Sequence, residues 1–534
     1  MPGRQKVAFG DFQTPPGLAH AIIAFLANSG ERPDTIVEPT CGQGSFIAAA
    51  TELFPHAVSV HGFDLNPNHI RQARDTIASR TGPRIKLQCR DFFRVDWTAL
   101  LRTLPGRVLI TGNPPWVTNA ALGVIRSPNH PRKSNFQGNN GFAAKTGKAN
   151  FDISEWMLIK LADALHQRAG CIAMLCKTSV ARKTLRHAWV NRLNIGRCSL
   201  HLINAKQHFG ASVDACLLIF HTGIVEPGRS ASVYPDLSFN GRMSTLGLAG
   251  RELVADVDEY LRLRDIDGIA YYTWRSGVKH DAAAVMEFTQ DNGHSVNGDN
   301  ERCLLEKTYI FPLLKSSDIA NGRIIPEKSV LLTQRKPSDN TAQIAKIAPK
   351  TWNYLVKHAK VLDQRRSIIY EKRPRFSIFG VGDYTFSPWK VAISGLYKNC
   401  RFQVIGEHHE KPIVLDDTCY FVPCASQEEA HFICDLLNTD VCQRFLRSLV
   451  FFDAKRPITI DVLNRIDLRR LAERVDRAKE ARKFLSGATG FDDKQSLLVF
   501  DKRKRYPART SVTRQTLRRH PKREKLMTGA RTTT

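Results

Sequence analysis

The stretch RVLITGNPPW, residues 107–116, joins a short apolar run to an asparagine, two prolines and a tryptophan. The apolar run, residues 108–110, predicts a buried parallel strand, because β-branched and aliphatic residues fill strands that are covered on both faces. The two prolines cannot continue a sheet, since each lacks the backbone N–H that a strand ladder needs. The chain therefore turns at the carboxyl end of a strand, where open α/β sheets bind ligands. There Asn113 would offer an amide and Trp116 a flat apolar face.

The composition of the 534-residue chain predicts a folded protein with an anionic partner. Hydrophobic residues make up 42%, and 78 basic against 51 acidic residues leave a net charge of +27, which favours a long polyanion. The twelve cysteines show no zinc-ligand spacing, so we expect reduced thiols and no metal. No apolar run reaches the length of a membrane span, and the N-terminus lacks the core of a signal peptide. We therefore expect a soluble cytoplasmic protein that binds no membrane.

Apolar runs alternate with amphipathic segments over residues 1–225, which predicts a doubly wound α/β domain. Residues 117–150 are rich in Gly, Asn and Lys and too long for a structural connection, which predicts a mobile loop that is either functional or locally disordered. Residues 226–485 are expected to form a second domain, and residues 486–534 a basic extension. In the first domain the sequence predicts strands at 34–40, 58–64, 84–93, 107–113, 171–178 and 215–222, and a helix at 151–168.

A glycine turn follows the first predicted strand in EPTCGQGSF, residues 38–46. Its two glycines would let the backbone approach a ligand closely at the start of a helix. Asp64 ends the next strand, where a carboxylate can hold two ribose hydroxyls, and Asp91 ends the third, where it can accept from an adenine amino group. Glu38 would repel the phosphates of a dinucleotide but attract a cationic ligand. This set favours S-adenosylmethionine over NAD or ATP.

Six segments, taken in order, resemble the motifs of the gamma-group amino-methylating DNA methyltransferases of restriction–modification systems. They are DFQTPPGLAHAIIAFL (11–26), EPTCGQGSF (38–46), GFDLNP (62–67), CRDFF (89–93), NPPW (113–116) and QHFGASVDACLLIF (207–220). The resemblance covers residues 9–222 and implies a Rossmann-like α/β sheet that binds S-adenosylmethionine, followed by a mixed α+β target-recognition domain in residues 226–485. It implies that the cofactor is held by Thr14, Glu38, Gly42, Gly44, Asp64, Asp91, Phe92 and Asn113.

The resemblance assigns catalysis to Asn113, Pro114, Trp116 and Phe209. The Asn113 side-chain oxygen and the Pro114 carbonyl would accept the hydrogens of adenine's exocyclic amine, a weak nucleophile, and aim its lone pair at the methyl group. Stacking on the two aromatic rings would return about 1–3 kcal/mol per contact against the few kcal/mol needed to extrude the base. The implied reaction is N6 methylation of a flipped-out adenine in double-stranded DNA. The expected enzyme acts as a monomer, with a cognate restriction endonuclease as a possible partner.

Several other interpretations stay open at this point. N4-cytosine methylation fits because tryptophan at position 116 also occurs in relatives that methylate cytosine amines, and methylation of a ribosomal RNA base amine would equally explain the charge. The triplets DAK (453–455) and DDK (492–494) resemble metal-dependent nuclease sites, which allows a bifunctional methylase–endonuclease. Cys424 after a proline allows cytosine-C5 chemistry by a thiol. An Asn-Pro-Pro-aromatic segment would also suit the amide of a protein glutamine.

Overall fold

The computed structural model describes residues 13–117 and 152–485, which all belong to one compact unit. The predicted loop at 117–150, apart from Val117, and the predicted extension at 486–534 lie outside the described residues. Among the helices of the two described ranges, none has the length and apolar character needed to cross a membrane.

A large sheet, with ten strands in the described part of the chain, organises the first half of the fold. Its strand order is β3-β2-β1-β4-β5-β7-β6-β8-β9-β10. The five strands from β3 to β5 in this order are parallel to one another, whereas β7 runs antiparallel to both β5 and β6. The expected α/β fold class is confirmed. The strands are β1 (Thr35–Glu38), β2 (Ser59–Asp64), β3 (Arg84–Cys89), β4 (Val108–Gly112), β5 (Gly170–Lys177), β6 (Ile195–Ile203), β7 (Ala215–Thr222), β8 (Ser230–Tyr234), β9 (Ser244–Ala249) and β10 (Glu252–Val254).

Helices pack on both faces of this sheet, because successive residues of a buried strand point to opposite sides. In β4, Val108 and Ile110 lie in the core shared with α4, α5 and α6, whereas Leu109 lies in the core shared with α1 and α2. The apolar run that opened the sequence analysis is therefore buried from both sides. The helices are α1 (Pro16–Asn28), α2 (Ser45–Leu53), α3 (Pro67–Ile77), α4 (Trp97–Thr103), α5 (Ile153–Leu165), α6 (Thr178–Val190) and α7 (Ala205–Phe209).

The sheet differs from the sequence expectation in two places. Strand β6 was not predicted, and β8 to β10 continue the same sheet although the prediction placed residues after 225 in a second domain. Strand β8 pairs in parallel with β6, so that Leu200 faces Val233. Without β8, the apolar strand β6 would be an open sheet edge, which exposes unpaired backbone groups.

Residues 255–485 fold into further sheets and short helices, the mixed α+β architecture expected after the first domain. In the described residues, one sheet has the order β11-β22-β17-β18, a second β14-β13-β12-β16-β15-β21, and a third pairs β19 with β20. The strands are β11 (Arg275–Ser276), β12 (Glu287–Asp291), β13 (His294–Asn297), β14 (Arg302–Cys303), β15 (Ile310–Leu314), β16 (Lys328–Leu331), β17 (Trp389–Ser394), β18 (Gln403–Ile405), β19 (Glu407–His408), β20 (Lys411–Pro412), β21 (Val414–Leu415) and β22 (Cys419–Cys424). The helices are α8 (Val257–Leu263), α9 (Ala283–Met286), α10 (Ser316–Ala320), α11 (Ile344–Ile347), α12 (Pro349–Lys357), α13 (Ala359–Asp363), α14 (Gln427–Leu437), α15 (Asp440–Leu449), α16 (Ile460–Leu463), α17 (Leu468–Arg474) and α18 (Ala478–Phe484).

Candidate active site

A cleft opens at the carboxyl ends of β1, β2, β3 and β4, the edge at which the sequence analysis expected a ligand. Seven of the eight residues predicted to hold the cofactor line it, and Gly44 does not. The cleft is lined by Gln13, Thr14, Glu38, Pro39, Thr40, Cys41, Gly42, Ser45, Phe46, Asp64, Leu65, Asn66, His69, Arg90, Asp91, Phe92, Phe93, Asn113, Pro115 and Met157.

The glycine turn between β1 and α2 is held by the end of β2. The Gly42 amide donates to Asp64 Oδ2 at 2.9 Å, and the Cys41 amide donates to the Phe63 carbonyl at 2.7 Å. Gly44 has φ +86°, and a Cβ there would lie 3.0 Å from the Ala73 Cβ. Glycine at this position therefore allows both the left-handed backbone and the close approach of α3. Gly44 shapes the turn rather than lining the cleft.

Asp64 is fixed by donors on both of its oxygens. In addition to the Gly42 amide on Oδ2, Oδ1 accepts from the Asn66 amide at 2.8 Å and lies 3.2 Å from His69 Nδ1. A carboxylate held in this way keeps one orientation, and its remaining lone pairs face the cleft that it lines. It can accept hydrogen bonds from a ligand without having to reorient.

Glu38 is the least satisfied carboxyl of the cleft. Its residue is 3% exposed, and Oε2 has no hydrogen-bond partner among the described residues. Burial, together with the nearby charge of Asp64, raises the pKa of Glu38 well above its usual value. Gly112 at the end of β4 makes room for this side chain, since a Cβ there would lie 3.0 Å from the Glu38 Cγ. A cationic group in the cleft would satisfy the orphaned oxygen, so the site fits the cofactor that the sequence favours.

The remaining predicted cofactor residues form the two ends of the cleft. Asp91 Oδ1 accepts from the Phe93 amide at 2.9 Å, and the buried Phe92 ring packs against Trp97 with 4.9 Å between ring centroids. At the other end, the main-chain oxygen of Thr14 accepts from Ser45 Oγ at 3.0 Å. The segment before α1 therefore lies along the start of α2.

The NPPW segment leaves β4 along the rim of this cleft. Asn113 and Pro115 line the cleft, whereas Pro114 and Trp116 are buried. The Thr40 hydroxyl lies 3.5 Å from the Asn113 main-chain oxygen, which connects the segment to the glycine turn. The predicted amine acceptor and the predicted cofactor residues thus share one cavity.

Trp116 and Phe209, the two aromatic residues predicted to stack on a base, are in contact with each other. Their ring centroids are 5.1 Å apart and the ring planes meet at 65°, an edge-to-face pair. Phe209 is the last residue of α7, and Gly210 follows it with φ +66°. Both residues were predicted from the sequence, but their contact was not. The edge-to-face pair leaves no space for a base between the two rings.

Two residues that suggested alternative chemistries, Cys424 and Asp453, are unsuited to them. Cys424 lies in strand β22 with 1% exposure, and burial raises the pKa of its thiol, which disfavours a nucleophilic thiolate. Asp453 of the first nuclease-like triplet is bound by Arg182 at 2.5 Å and by the Thr178 hydroxyl, so its carboxylate is already occupied. The second triplet, 492–494, lies outside the described residues.

A cluster of possible metal ligands lies away from the cleft, near the amino end of β5. Within the described residues, Glu31, Cys171 and His221 bring one ligand atom each within 4.8 Å of one another. The Glu31 carboxylate is already bound by His221 Nε2 at 2.6 Å and by the Arg107 guanidinium at 2.9 Å. A guanidinium on the only carboxylate of the cluster disfavours a second cation, so we assign the cluster a structural role.

Comparison with known proteins adds a close relative and a similar fold. No family model matches the chain. The chain is 42% identical over 472 residues to the Type II methyltransferase M.NspV of Nostoc sp., covering 88% of this chain and 98% of that protein. Its fold is similar to the Type IIL restriction–modification enzyme MmeI, solved in complex with DNA, with TM-score 0.53 and 13% identity. The match covers 86% of this chain and 65% of MmeI.

Proposed function

The chain belongs to the Type II DNA methyltransferases of restriction–modification systems, and we propose that it methylates the N6 amine of a target adenine. Its cofactor is S-adenosylmethionine, which supplies an activated methyl group on a sulfonium. The observation that carries the proposal is the shared cavity. Asn113, the proposed acceptor of the amine hydrogens, lines the same cleft as Glu38, Asp64 and Asp91.

The cleft offers a separate group for each part of the cofactor. We assign the buried Glu38 carboxyl, whose Oε2 has no partner among the described residues, to the cationic methionyl end of the cofactor. The fixed Asp64 carboxylate is assigned to its ribose hydroxyls, and Asp91 to its adenine amine. The ring of Phe92 gives the adenine an apolar wall, and Thr14 closes the opposite end. Because Asp64 is held by three donors, binding requires little reorganisation of this side chain.

The NPPW segment acts on the amine of the substrate. The Asn113 side-chain oxygen and the Pro114 carbonyl accept its two hydrogens, which withdraws the lone pair from the ring and directs it at the methyl group. The two consecutive prolines hold these acceptors in place, since each has a fixed φ. The proton leaves the product amine during or after transfer, without a dedicated general base.

The target base must leave the duplex to reach this cleft, and the aromatic pair is proposed to receive it. A base that stacks on Trp116 replaces the edge contact of Phe209. The net charge of +27 suits the DNA backbone, so binding is expected to weaken steeply with salt, with log K falling about 0.9 per phosphate contact per log unit.

The proposal is tested by sequencing single molecules of plasmid from a methylation-free host that expresses the protein. N6-methyladenine at one short motif is expected with the wild type and is expected to be lost in Asn113→Ala. The exposed Asn191 on the far end of α6 provides the control, because Asn191→Ala removes an equal side chain outside the cleft. N4-methylcytosine at that motif would overturn the choice of adenine, and normal methylation by Asn113→Ala would overturn the site.

A further inference from the structure

The main-chain carbonyl of Trp116 is held by a lysine from the neighbouring strand. Lys177 Nζ donates to the Trp116 oxygen at 3.1 Å and forms an ion pair with Asp152 Oδ2 at 2.6 Å. The Lys177 side chain is 20% exposed and the Asp152 side chain 9%, so water competes little for this ion pair. Neither Lys177 nor Asp152 was among the residues predicted from the sequence.

The lysine reaches this carbonyl because β5 is longer than β4. Their register pairs Gly112 with Met174, so β5 continues for three residues, to Lys177, beside the segment that leaves β4. Asp152 is held equally well, since its Oδ1 accepts from the Ser154 amide at 3.1 Å and caps helix α5. One carboxylate oxygen therefore serves the helix and the other serves the lysine.

A second contact fixes the same point of the chain. The Ile153 amide donates to the Val117 carbonyl at 2.9 Å, so the residues on either side of the undescribed segment are joined. The carbonyls of two successive residues, Trp116 and Val117, are thus bound by β5 and by α5. At the other end of the segment the Thr40 hydroxyl lies 3.5 Å from the Asn113 oxygen, a much weaker restraint.

We propose that Lys177, held by Asp152, is a positioning residue that sets the Trp116 ring and the acceptors just before it for the target base. The inference rests on the proposed function, because it presumes that Trp116 and Asn113 act on the base. The ammonium is the side-chain anchor at the far end of the NPPW segment. Without it, the stiff Pro–Pro unit can pivot as a body, and displacements of about 1 Å at a reacting centre can lower rates on the order of 100-fold.

The structure supplies a control in a nearby lysine–carboxylate ion pair, which joins α6 to α5. Lys183 Nζ lies 2.7 Å from Glu155 Oε2, whose side chain is 3% exposed. This pair buries its carboxylate as deeply as Lys177 buries Asp152. Among the described residues, the polar partner of Lys183 is Glu155 and not the NPPW segment, so Lys183→Met reports the effect of losing such a pair alone.

The experiment compares Lys177→Met with Lys183→Met on unmethylated DNA from a methylation-free host. We expect Lys177→Met to lower kcat by about 10- to 100-fold. Its Kd values for cofactor and for DNA should stay within about threefold of wild type. Lys183→Met should keep kcat within about twofold of wild type. Lys177→Arg, which retains a cation, is expected to recover part of the loss. If Lys177→Met does not fold, Asp152→Asn tests the same contact, because its amide oxygen can still cap α5.

A double-mutant cycle with Trp116→Ala separates the inference from the proposed function. If Lys177 sets the Trp116 ring together with the acceptors, the kcat losses of Lys177→Met and Trp116→Ala are less than additive, because the double mutant loses the ring only once. Equal kcat losses for Lys177→Met and Lys183→Met, or independent losses in the cycle, would overturn the positioning role. Normal kcat in Trp116→Ala would instead overturn the proposed role of the aromatic ring.

Discussion

Replacing Glu38 by glutamine should separate the stability of the free protein from its affinity for the cofactor. The carboxyl is buried, its Oε2 has no partner among the described residues, and burial beside Asp64 raises its pKa. In the free protein it therefore gains little from a charge. Glutamine has nearly the same shape and no charge to bury, so Glu38→Gln is expected to be as stable as the wild type or more stable at pH 7.5.

Binding should respond in the opposite direction. A hydrogen bond to a charged group contributes about 1.5–3 kcal/mol, so Glu38→Gln is expected to lower the affinity for S-adenosylmethionine about 10- to 150-fold. The pH dependence has a defined sign. Below the raised pKa the free carboxyl is protonated, and a bound cation favours its ionised form, so binding releases a proton and wild-type affinity rises with pH, by at most about tenfold per pH unit. This slope is expected to vanish in Glu38→Gln.

Isothermal titration calorimetry measures both effects, and S-adenosylhomocysteine identifies the cation. That product keeps the amino group but lacks the sulfonium, so equal weakening of both ligands assigns Glu38 to the amino group. Weakening of S-adenosylmethionine alone assigns it to the sulfonium. The control is Glu52→Gln, since Glu52 is half exposed, pairs with Arg80 and lies outside the cleft. An unstable free Glu38→Gln protein, or one with wild-type affinity for both ligands, would refute the reasoning.

Three further predictions concern other parts of the structure. Gly112 has φ +140°, and a Cβ added there would lie 3.0 Å from Glu38 Cγ, so Gly112→Ala should weaken cofactor binding and lower the melting temperature. An unchanged cofactor Kd together with an unchanged melting temperature would contradict this packing. Phe209→Ala should reduce kcat on DNA with little effect on cofactor Kd, and an unaltered kcat would remove Phe209 from the base site. Burial opposes ionisation of Glu287, but His280 and Lys315 hold the pKa of Glu287 at about 2, so its stabilisation is present above about pH 4.5 and disappears as the pH falls towards 2. Urea unfolding at pH 5 and pH 3 measures this effect. Between these pH values the free energy of unfolding should fall by up to about 2 kcal/mol more in the wild type than in Glu287→Gln. Equal falls in the two proteins would contradict the assignment.

The sequence predicted those parts of the fold whose patterns are local. The buried strands β1, β2, β4, β5 and β7 are short apolar runs that end in turn residues, and the structure places them within a few residues of their predicted bounds. Strand β6 was missed because a bulge interrupts its alternation. Its pairing with β7 shifts register between Gly196 and Ser199, and Arg197 has φ +48°.

The candidate site divides in the same way. Glu38, Asp64 and Asn113 could be found from the sequence, because each ends a strand or directly follows one, and the carboxyl ends of parallel strands meet at one edge. The contacts of Lys177 with Trp116 and Asp152 could not, since they depend on how far β5 extends past β4 and on a capping residue 25 positions earlier. A lysine at the end of the apolar run CIAMLCK was the one local signal, and it does not indicate a partner.

The edge-to-face contact between Trp116 and Phe209 has a consequence for fidelity. Aromatic pairs of this kind contribute about 0.5–1.5 kcal/mol beyond their buried area, so each ring already stabilises the other. If the target base leaves its duplex as proposed, it must also displace the Phe209 ring from Trp116. Bases that are extruded only transiently at other sequences would then gain too little stacking energy to stay in the site. The enzyme would therefore move along DNA without capturing them. The contact between Trp116 and Phe209 would thus favour stacking of a base only at a DNA site that the rest of the protein binds correctly.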